Sequence, residues 1–131
     1  MEQQKNEIIS FKPDLVVGSS FGGALALILA HQKMIDVPIL LLAQAYKLYN
    51  GKMSLPSELP KDIPILLVHG DDDQVVPLSH SVDLSKTRHD DKVKMVIVKD
   101  NHRLHTLIET KSLEKYIEDL FFCQNNGHFT K

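Results

Sequence analysis

Three polar residues in this sequence have the types, and the order along the chain, that nucleophilic catalysis requires. Ser20 lies within GSSFGG, Asp73 lies within GDDDQVVP, and His102 lies within KDNHRLH. A serine hydroxyl becomes a useful nucleophile only when a base removes its proton, and the base needs a partner that orients it. If the fold brings these residues together, Ser20 attacks an acyl carbonyl, His102 transfers the proton and Asp73 holds the imidazole.

The residues around Ser20 fit the pattern G-x-S-x-G, which predicts a sharp turn from a strand into a helix. Gly18 and Gly22 are expected to be small so that strand and helix can approach, and Gly23 adds room. Ser20 then projects above the sheet at a helix N-terminus. There the Phe21 amide and the helix dipole favour a developing negative charge. The alternative is a Gly-rich turn that only packs tightly or binds an anion.

Neighbouring carboxylates and histidines compete for the roles of Asp73 and His102. The spacing to Val76-Pro77 selects Asp73 over the two aspartates that precede it. His105 is expected to lie within a helix, and His69, at the end of an apolar segment, is expected to be packed and hydrogen-bonded. The acidic run lacks the glycine and distant glutamate of an EF-hand loop. No Cys/His spacing indicates zinc, and neither a metal nor a cofactor is expected.

Four short apolar segments, bounded by polar residues, glycine or proline, are predicted to be the strands that position these residues. They are Asp14–Gly18, Val37–Leu42, Ile63–Gly70 and Lys92–Lys99. The first three are nearly continuous in hydrophobicity, as strands buried on both faces are, whereas the fourth alternates and suits an edge. Helical patterns lie between them. The fold class predicted is therefore α/β, with a short parallel sheet of about four strands and flanking helices.

The predicted helices are Glu2–Phe11, Phe21–Met34, a segment opened by Pro77, and a C-terminal amphipathic helix with apolar residues from Leu104 to Phe121. Residues Tyr46–Lys61 carry glycine and prolines without a clear period and are expected to be irregular. Residues 1–122 are expected to form a single truncated domain, and residues 123–131 a flexible tail.

Binding sites of open parallel sheets form beyond the carboxyl ends of the strands, where the three candidate residues lie. Three further residues, Phe21, Gln44 and Val76, lie at or shortly after strand ends. They are predicted to contribute oxyanion or substrate-binding groups. The Leu, Tyr and Met content from Leu40 onwards favours a mainly apolar acyl or alcohol part in the substrate.

The three motifs together resemble the α/β-hydrolase superfamily, in particular the C-terminal part of a small esterase-like member lacking the N-terminal strands. GSSFGGALA resembles the nucleophile elbow, LLVHGDDDQVVP the acid turn and DNHRL the histidine loop. The resemblance runs from about Phe11 to the end of the last helix. It implies a serine hydrolase that cleaves a carboxylic ester or thioester through an acyl-enzyme. Ser20, His102 and Asp73 would form the triad, and the Phe21 amide one oxyanion donor.

Family members carry earlier strands and a second oxyanion donor in a loop after one of them. About fifteen residues precede the elbow strand here, so that loop is expected to be absent. Loss of one such donor costs on the order of 10²–10³ in rate. The alternative function is therefore a catalytically weak or inactive binding or assembly module. Asp14–Gly18 is expected to be an open edge, covered by a second copy of the chain or by another polypeptide.

Composition narrows the class of protein. The chain has 131 residues and a net charge of −2, without a Lys/Arg run, so neither nucleic acid nor a membrane is expected as a partner. No apolar run reaches the roughly 18 residues of a spanning helix, and the polar N-terminus does not indicate a signal peptide. The single cysteine, Cys123, excludes an internal disulfide. The expected protein is cytoplasmic and acts on a small ester-like molecule.

Overall fold

The computed structural model describes residues 14–104 and 112–129. Within them, four parallel strands form one sheet in the order β1-β2-β3-β4. The strands are β1 (Val16–Ser19), β2 (Ile39–Leu42), β3 (Ile65–Gly70) and β4 (Val93–Val98). All four predicted strands are confirmed. Their spatial order is the same as their order along the chain, and all of them are parallel. The carboxyl ends of all four strands consequently meet at one edge of the sheet.

Helices cover both faces of this sheet, as the α/β prediction requires. They are α1 (Phe21–His31), α2 (Leu78–Ser85) and α3 (Ser112–Asn126). The predicted irregular stretch between β2 and β3 contains two short 3₁₀ turns, Tyr46–Leu48 and Asn50–Met53. Within the described residues, no helix is of the length and hydrophobicity that crossing a membrane requires.

The apolar strands are buried on both faces because alternate side chains point to opposite sides of the sheet. One core cluster joins α1 to the strand residues Ile39, Leu41, Ile65 and Leu67. A second cluster joins α3, through Leu120 and Cys123, to the strand residues Leu40, Leu66 and Val68. The continuous hydrophobicity of β2 and β3 is thus explained by a helix on each side.

The two outer strands differ from the inner pair in exposure. In the described part of the chain, β1 pairs only with β2 and β4 only with β3. Val17 on β1 is 45% exposed, and Ile97 on β4 is 53% exposed. The alternating pattern of β4 therefore predicted its edge position correctly.

The C-terminal segment differs from the predicted flexible tail over 123–131. Helix α3 continues to Asn126, and Cys123, one turn after Leu120, is fully buried against the sheet. Phe129 is also buried, and its N–H donates a hydrogen bond to the Asp91 carbonyl at 3.0 Å. The segment packs because two apolar side chains, spaced among polar ones, reach the second core cluster. Residues 130–131 lie outside the described residues.

Leu104 does not belong to the C-terminal helix, in contrast to the prediction. Its φ of 54° is left-handed, its N–H donates to the Asn101 carbonyl at 3.2 Å, and its side chain is buried. Leu104 thus closes the loop that carries His102, while α3 as described begins at Ser112. The predicted helix Glu2–Phe11 and the competing His105 lie outside the described residues.

Candidate active site

Ser20, His102 and Asp73 meet above the carboxyl ends of β1, β4 and β3. His102 Nε2 lies 2.9 Å from Ser20 Oγ. The other ring nitrogen, Nδ1, lies 2.7 Å from Asp73 Oδ2. Both distances fall within the hydrogen-bond range that a nucleophile, a base and an orienting carboxylate require. The structure therefore brings together the three residues that the sequence predicted to be catalytic.

Ser20 occupies a strained backbone conformation between β1 and α1. Its φ is 52° and its ψ is −114°, which a residue with a side chain rarely adopts. Its N–H donates to the Leu42 carbonyl at 2.9 Å, and its carbonyl accepts from the amides of Ala45 at 3.1 Å and Ala24 at 3.2 Å. Although serine is a preferred N-cap, the Ser20 hydroxyl makes no capping hydrogen bond. In this strained turn the hydroxyl is therefore available to hydrogen-bond with His102.

Two glycines allow this turn: Gly18, as the motif suggested, and Gly23 in place of the expected Gly22. A Cβ at Gly18 would lie 2.6 Å from the Gly22 carbonyl oxygen, and a Cβ at Gly23 would lie 2.8 Å from Gln44 Cβ. At Gly22 itself a Cβ would meet nothing within 4 Å. The close approach of α1 thus runs through Gly18 and Gly23. This corrects the expectation that Gly22 must be small.

The Asp73 carboxylate is buried and held at both oxygens. Its side chain is 0% exposed, and Oδ1 accepts hydrogen bonds from the amides of Val75 at 2.8 Å and Val76 at 2.7 Å. Burial alone would raise the pKa of Asp73, but hydrogen bonds from His102 and from the Val76 and Val75 amides outweigh it and lower the pKa. Asp73 therefore faces His102 as a carboxylate at neutral pH.

The acid turn and the histidine loop are docked against each other at Gly70. The Asp72 N–H donates to the Asp100 carbonyl at 3.0 Å. A Cβ at Gly70 would collide with the Asp100 oxygen and would lie 2.8 Å from the Asn101 oxygen. Since His102 follows directly, the absence of a side chain at Gly70 sets how closely the imidazole can approach Asp73.

Phe21 follows Ser20 directly at the start of α1. It is the first residue of α1, so its N–H has no carbonyl partner within the helix. The side chain is 53% exposed, and its ring meets the Tyr49 ring edge-on at a centroid distance of 5.2 Å. This amide lies next to Ser20 and at the positive end of the helix dipole, a position suited to binding an oxyanion.

Gln44 and Val76 do not lie where the sequence predicted a substrate-binding role. Gln44 is 1% exposed; its Nε2 donates to Ser81 Oγ at 2.9 Å, and its Oε1 accepts from the Tyr46 amide at 2.7 Å. Val76 is fully buried in the first core cluster. Both residues follow strand ends, but their side chains point into the protein and a substrate cannot contact them.

His69 lies closer to the site than the sequence indicated. It is fully buried, with Nε2 placed 2.8 Å from the Val76 carbonyl and 3.1 Å from Asp73 Oδ2. Its Nδ1 lies 2.7 Å from Ser81 Oγ. The expected packed and hydrogen-bonded state is correct, but contact with Asp73 was missed. The signal was the four-residue spacing in HGDDD across a tight turn.

Residues 14–104 and 112–129 contain no group of three or more His, Cys, Asp or Glu side chains that could hold a metal ion. The site brings together Ser20, His102 and Asp73, with backbone amides that donate to the Asp73 carboxylate. Its arrangement is suited to deprotonate one alcohol and to stabilise one oxyanion, which is the chemistry of acyl transfer.

Solved structures similar to this chain are hydrolases. Alpha/beta hydrolase domain-containing protein 10 from mouse aligns with a TM-score of 0.69 and 20% identity, covering 89% of this chain and 67% of that protein. An alpha-beta serine hydrolase homologue from Coxiella burnetii aligns at 0.58 and 26% identity, over 76% and 46% of the two chains. Est1E from Butyrivibrio proteoclasticus aligns at 0.61 and 19% identity, over 80% and 60%. The chain thus spans about half to two thirds of their length.

Sequence comparison gives the family. No curated protein sequence matches the chain at a significant level. A family model described as phospholipase/carboxylesterase matches residues 2–120, nearly the whole chain. The four-stranded parallel sheet with flanking helices agrees with the fold of the similar structures. The chain therefore belongs to the phospholipase/carboxylesterase family of α/β-hydrolases.

Proposed function

We propose that this chain carries the catalytic triad of a serine hydrolase that cleaves a carboxylic ester or thioester through an acyl-enzyme. The observation that supports this most directly is the unbroken hydrogen-bonded line from Ser20 Oγ through His102 to Asp73, with distances of 2.9 and 2.7 Å. A serine at a strained strand-to-helix turn, with its hydroxyl free of capping, adds to that support.

In the proposed reaction, His102 Nε2 takes the Ser20 proton as Oγ attacks the carbonyl carbon. The oxyanion that forms accepts a hydrogen bond from the Phe21 amide. His102 then returns the proton to the leaving alcohol or thiol, and the acyl group stays on Ser20. Water, deprotonated by the same nitrogen, releases the acid. The buried Asp73 carboxylate orients the imidazole and stabilises its charged form throughout.

Exposed apolar side chains near the triad support an apolar acyl or alcohol part in the substrate. Phe21 follows Ser20 directly and is 53% exposed, and Val75, two residues after Asp73, is 63% exposed. A contiguous group of exposed apolar side chains commonly marks a ligand-binding surface. The family description, phospholipase/carboxylesterase, names ester substrates as well.

A fluorophosphonate probe with mass detection tests the proposal. We expect a single adduct on Ser20 that is lost in Ser20→Ala and strongly reduced in His102→Ala, because an alcohol without its base is a poor nucleophile. Ser19→Ala is the matched control, since Ser19 is an exposed neighbour outside the hydrogen-bonded line, and it should label like the wild type. An adduct on Ser19, or none on well-folded protein, would contradict the proposal.

The edge of β1 favours a second candidate function, a hydrolase-like module for binding or assembly. Among the described residues β1 has one partner strand, and Val17 is 45% exposed on it. We propose that a second copy or another polypeptide pairs along Asp14–Gly18. Sedimentation of the wild type against Val17→Lys tests this, because a charge on the edge should weaken strand pairing. If the wild type is monomeric and labels at Ser20, self-assembly is rejected and the serine hydrolase function remains.

A further inference from the structure

A second line of buried hydrogen bonds runs from Asp73 away from Ser20. It passes through His69 and Ser81 to Gln44, and these three residues are 0%, 1% and 1% exposed. None of them takes part in the reaction proposed above. A buried polar network of this kind is stable only when each donor meets an acceptor, so its hydrogens can be assigned from one fixed end.

The fixed end is the backbone at Tyr46. Its N–H can only donate, so the Gln44 atom 2.7 Å away is the amide oxygen, and Gln44 Nε2 donates to Ser81 Oγ at 2.9 Å. Within the described part of the chain, the other hydrogen-bond partner of Ser81 Oγ is His69 Nδ1 at 2.7 Å. The Ser81 hydroxyl accepts from Gln44 and therefore donates its own hydrogen to that nitrogen.

This direction sets the tautomer of His69. Because Nδ1 accepts, the ring hydrogen is on Nε2, which lies 2.8 Å from the Val76 carbonyl and 3.1 Å from Asp73 Oδ2. The opposite tautomer would turn a lone pair towards two oxygens, both acceptors. Val76 in turn donates its amide to Asp73 Oδ1. The His69 ring thus ties the acid turn to β3 and places a partial positive charge beside Oδ2.

We propose that His69 is a positioning residue for the Asp73 carboxylate, in a tautomer that Gln44 imposes through Ser81. The inference rests on the proposed function, because the orientation of Asp73 affects a rate only if His102 is the base. It extends that function by three buried residues, of which Gln44 was expected to contact substrate and Ser81 was not expected at the site.

The sharpest test is Gln44→Glu, which preserves shape and reverses polarity. At a pH where the new carboxyl is ionised, one of its oxygens still accepts from the Tyr46 amide, but the other cannot donate to Ser81. The Ser81 hydroxyl then donates to it and accepts from His69 Nδ1–H instead. Nitrogen-15 NMR of the imidazoles, assigned with His69→Gln, should show Nδ1 unprotonated in the wild type and protonated in Gln44→Glu. A protonated Nδ1 in the wild type, or no change in the variant, overturns the tautomer assignment and the inference.

The rate of ester hydrolysis supplies the second readout. Gln44→Glu and Ser81→Ala should lower kcat roughly 10- to 100-fold, by analogy with the loss measured when a residue that orients a metal ligand is removed. KM should stay unchanged, because none of these side chains contacts substrate. His69→Gln, whose amide can still donate to Val76 and Asp73, should retain more activity than His69→Leu. The control is Ser79→Ala, which should match the wild type, because Ser79 lies at an exposed position of α2, the helix that also carries Ser81.

The outcomes separate this inference from the proposed function. A wild type that labels at Ser20, with kcat unaltered in folded Gln44→Glu and Ser81→Ala, would overturn the positioning role alone. A wild type that neither labels nor hydrolyses esters would overturn the proposed function, and the positioning role with it. Melting temperatures identify any variant that loses kcat by unfolding, and the NMR tautomer of the folded wild type is read without any activity.

Discussion

Two polar networks, each built around a buried side chain, lie at opposite ends of the sheet and end differently. At the amino end, Arg88 is 8% exposed; its guanidinium donates to the carbonyls of Pro60 at 2.8 Å and Ile63 at 2.7 Å, and to both oxygens of Asp90. That network ends at Asp90, whose side chain is 51% exposed, and we call it closed because it leads to no reactive group. At the carboxyl end, the line through Asp73 continues to His102, whose side chain is 20% exposed, and stops at the Ser20 hydroxyl.

The comparison shows that the role of a buried polar group depends on which other groups its hydrogen bonds connect it to. Both Asp73 and Asp90 have a lowered pKa, in Asp90 chiefly because Arg88 donates to it, so the titration of a carboxyl alone does not separate the two networks. A closed network stabilises the fold, whereas a line that reaches a solvent-accessible nucleophile is suited to chemistry. The variants below should therefore affect rate at one end and stability at the other.

Asp73→Asn should give the largest effect. The side chain keeps its shape, but a neutral amide neither stabilises the charged imidazole of His102 nor holds it in the required tautomer. In a serine triad the same substitution lowers kcat about 10⁴-fold. We expect the labelling rate at Ser20 to fall accordingly while circular dichroism stays unchanged. Full activity would move the acid role to Asp71 or Asp72.

Gly70→Ala should come next, because it affects the site without touching a triad side chain. Its Cβ would collide with the Asp100 and Asn101 carbonyls. Overpacking of this kind costs about 1–3 kcal/mol, and a shift of the His102 loop by about 1 Å can cost on the order of 10² in rate. Melting and labelling are measured on the same sample. A variant that melts earlier but labels normally would show that the docking is structural only.

Arg88→Met should show the reverse pattern. Without the guanidinium the buried Pro60 and Ile63 carbonyls lose their donors, which costs about 2–3 kcal/mol of unfolding free energy. The labelling rate per folded molecule should stay at the wild-type value, since the closed network does not reach Ser20. Denaturant unfolding and labelling test this together, and a large loss of labelling in folded protein would mean that the two ends are coupled.

The unfolding free energy at acid pH should show the contribution of the Asp73 carboxyl. Because folding lowers its pKa, the stabilisation that it contributes is full above an ordinary carboxyl pKa of about 4 and is lost as the pH falls through the lowered value. The unfolding free energy of Asp73→Asn should therefore depend less on pH on the acid side than that of the wild type. Parallel curves for the two proteins would contradict the lowered pKa.

Gly22→Ala should have the smallest effect and the opposite sign. A Cβ there meets nothing within 4 Å, and alanine reduces the entropy of the unfolded chain, so we expect a gain of about 0.4–1 kcal/mol. Gly23→Ala is the matched comparison and should destabilise, because its Cβ would meet Gln44. Loss of stability in Gly22→Ala would restore the tight turn that the motif suggested.

The sequence was sufficient to predict the sheet and the meeting of Ser20, His102 and Asp73 at its carboxyl edge, because local patterns mark the strands and their ends. Apolar runs between turn residues marked the strands, and the residues at their carboxyl ends marked the site. It was insufficient where a side chain's direction decides its role. Gln44 and Val76 follow strand ends yet point inward, and His69 meets Asp73 only because the turn between them is tight. Which glycine is crowded likewise depends on the contact between α1 and its neighbours.

The single cysteine of this chain, on the buried face of α3, has a practical consequence. Burial raises the pKa of the Cys123 thiol, so little thiolate forms at neutral pH, and the sulfur is fully enclosed. Electrophilic reagents should therefore not react with Cys123 in the folded protein. The Cys123 sulfur should not compete with the Ser20 hydroxyl for such reagents. A cysteine introduced on the surface could then carry a fluorophore or spin label at one chosen position, without removing the native one.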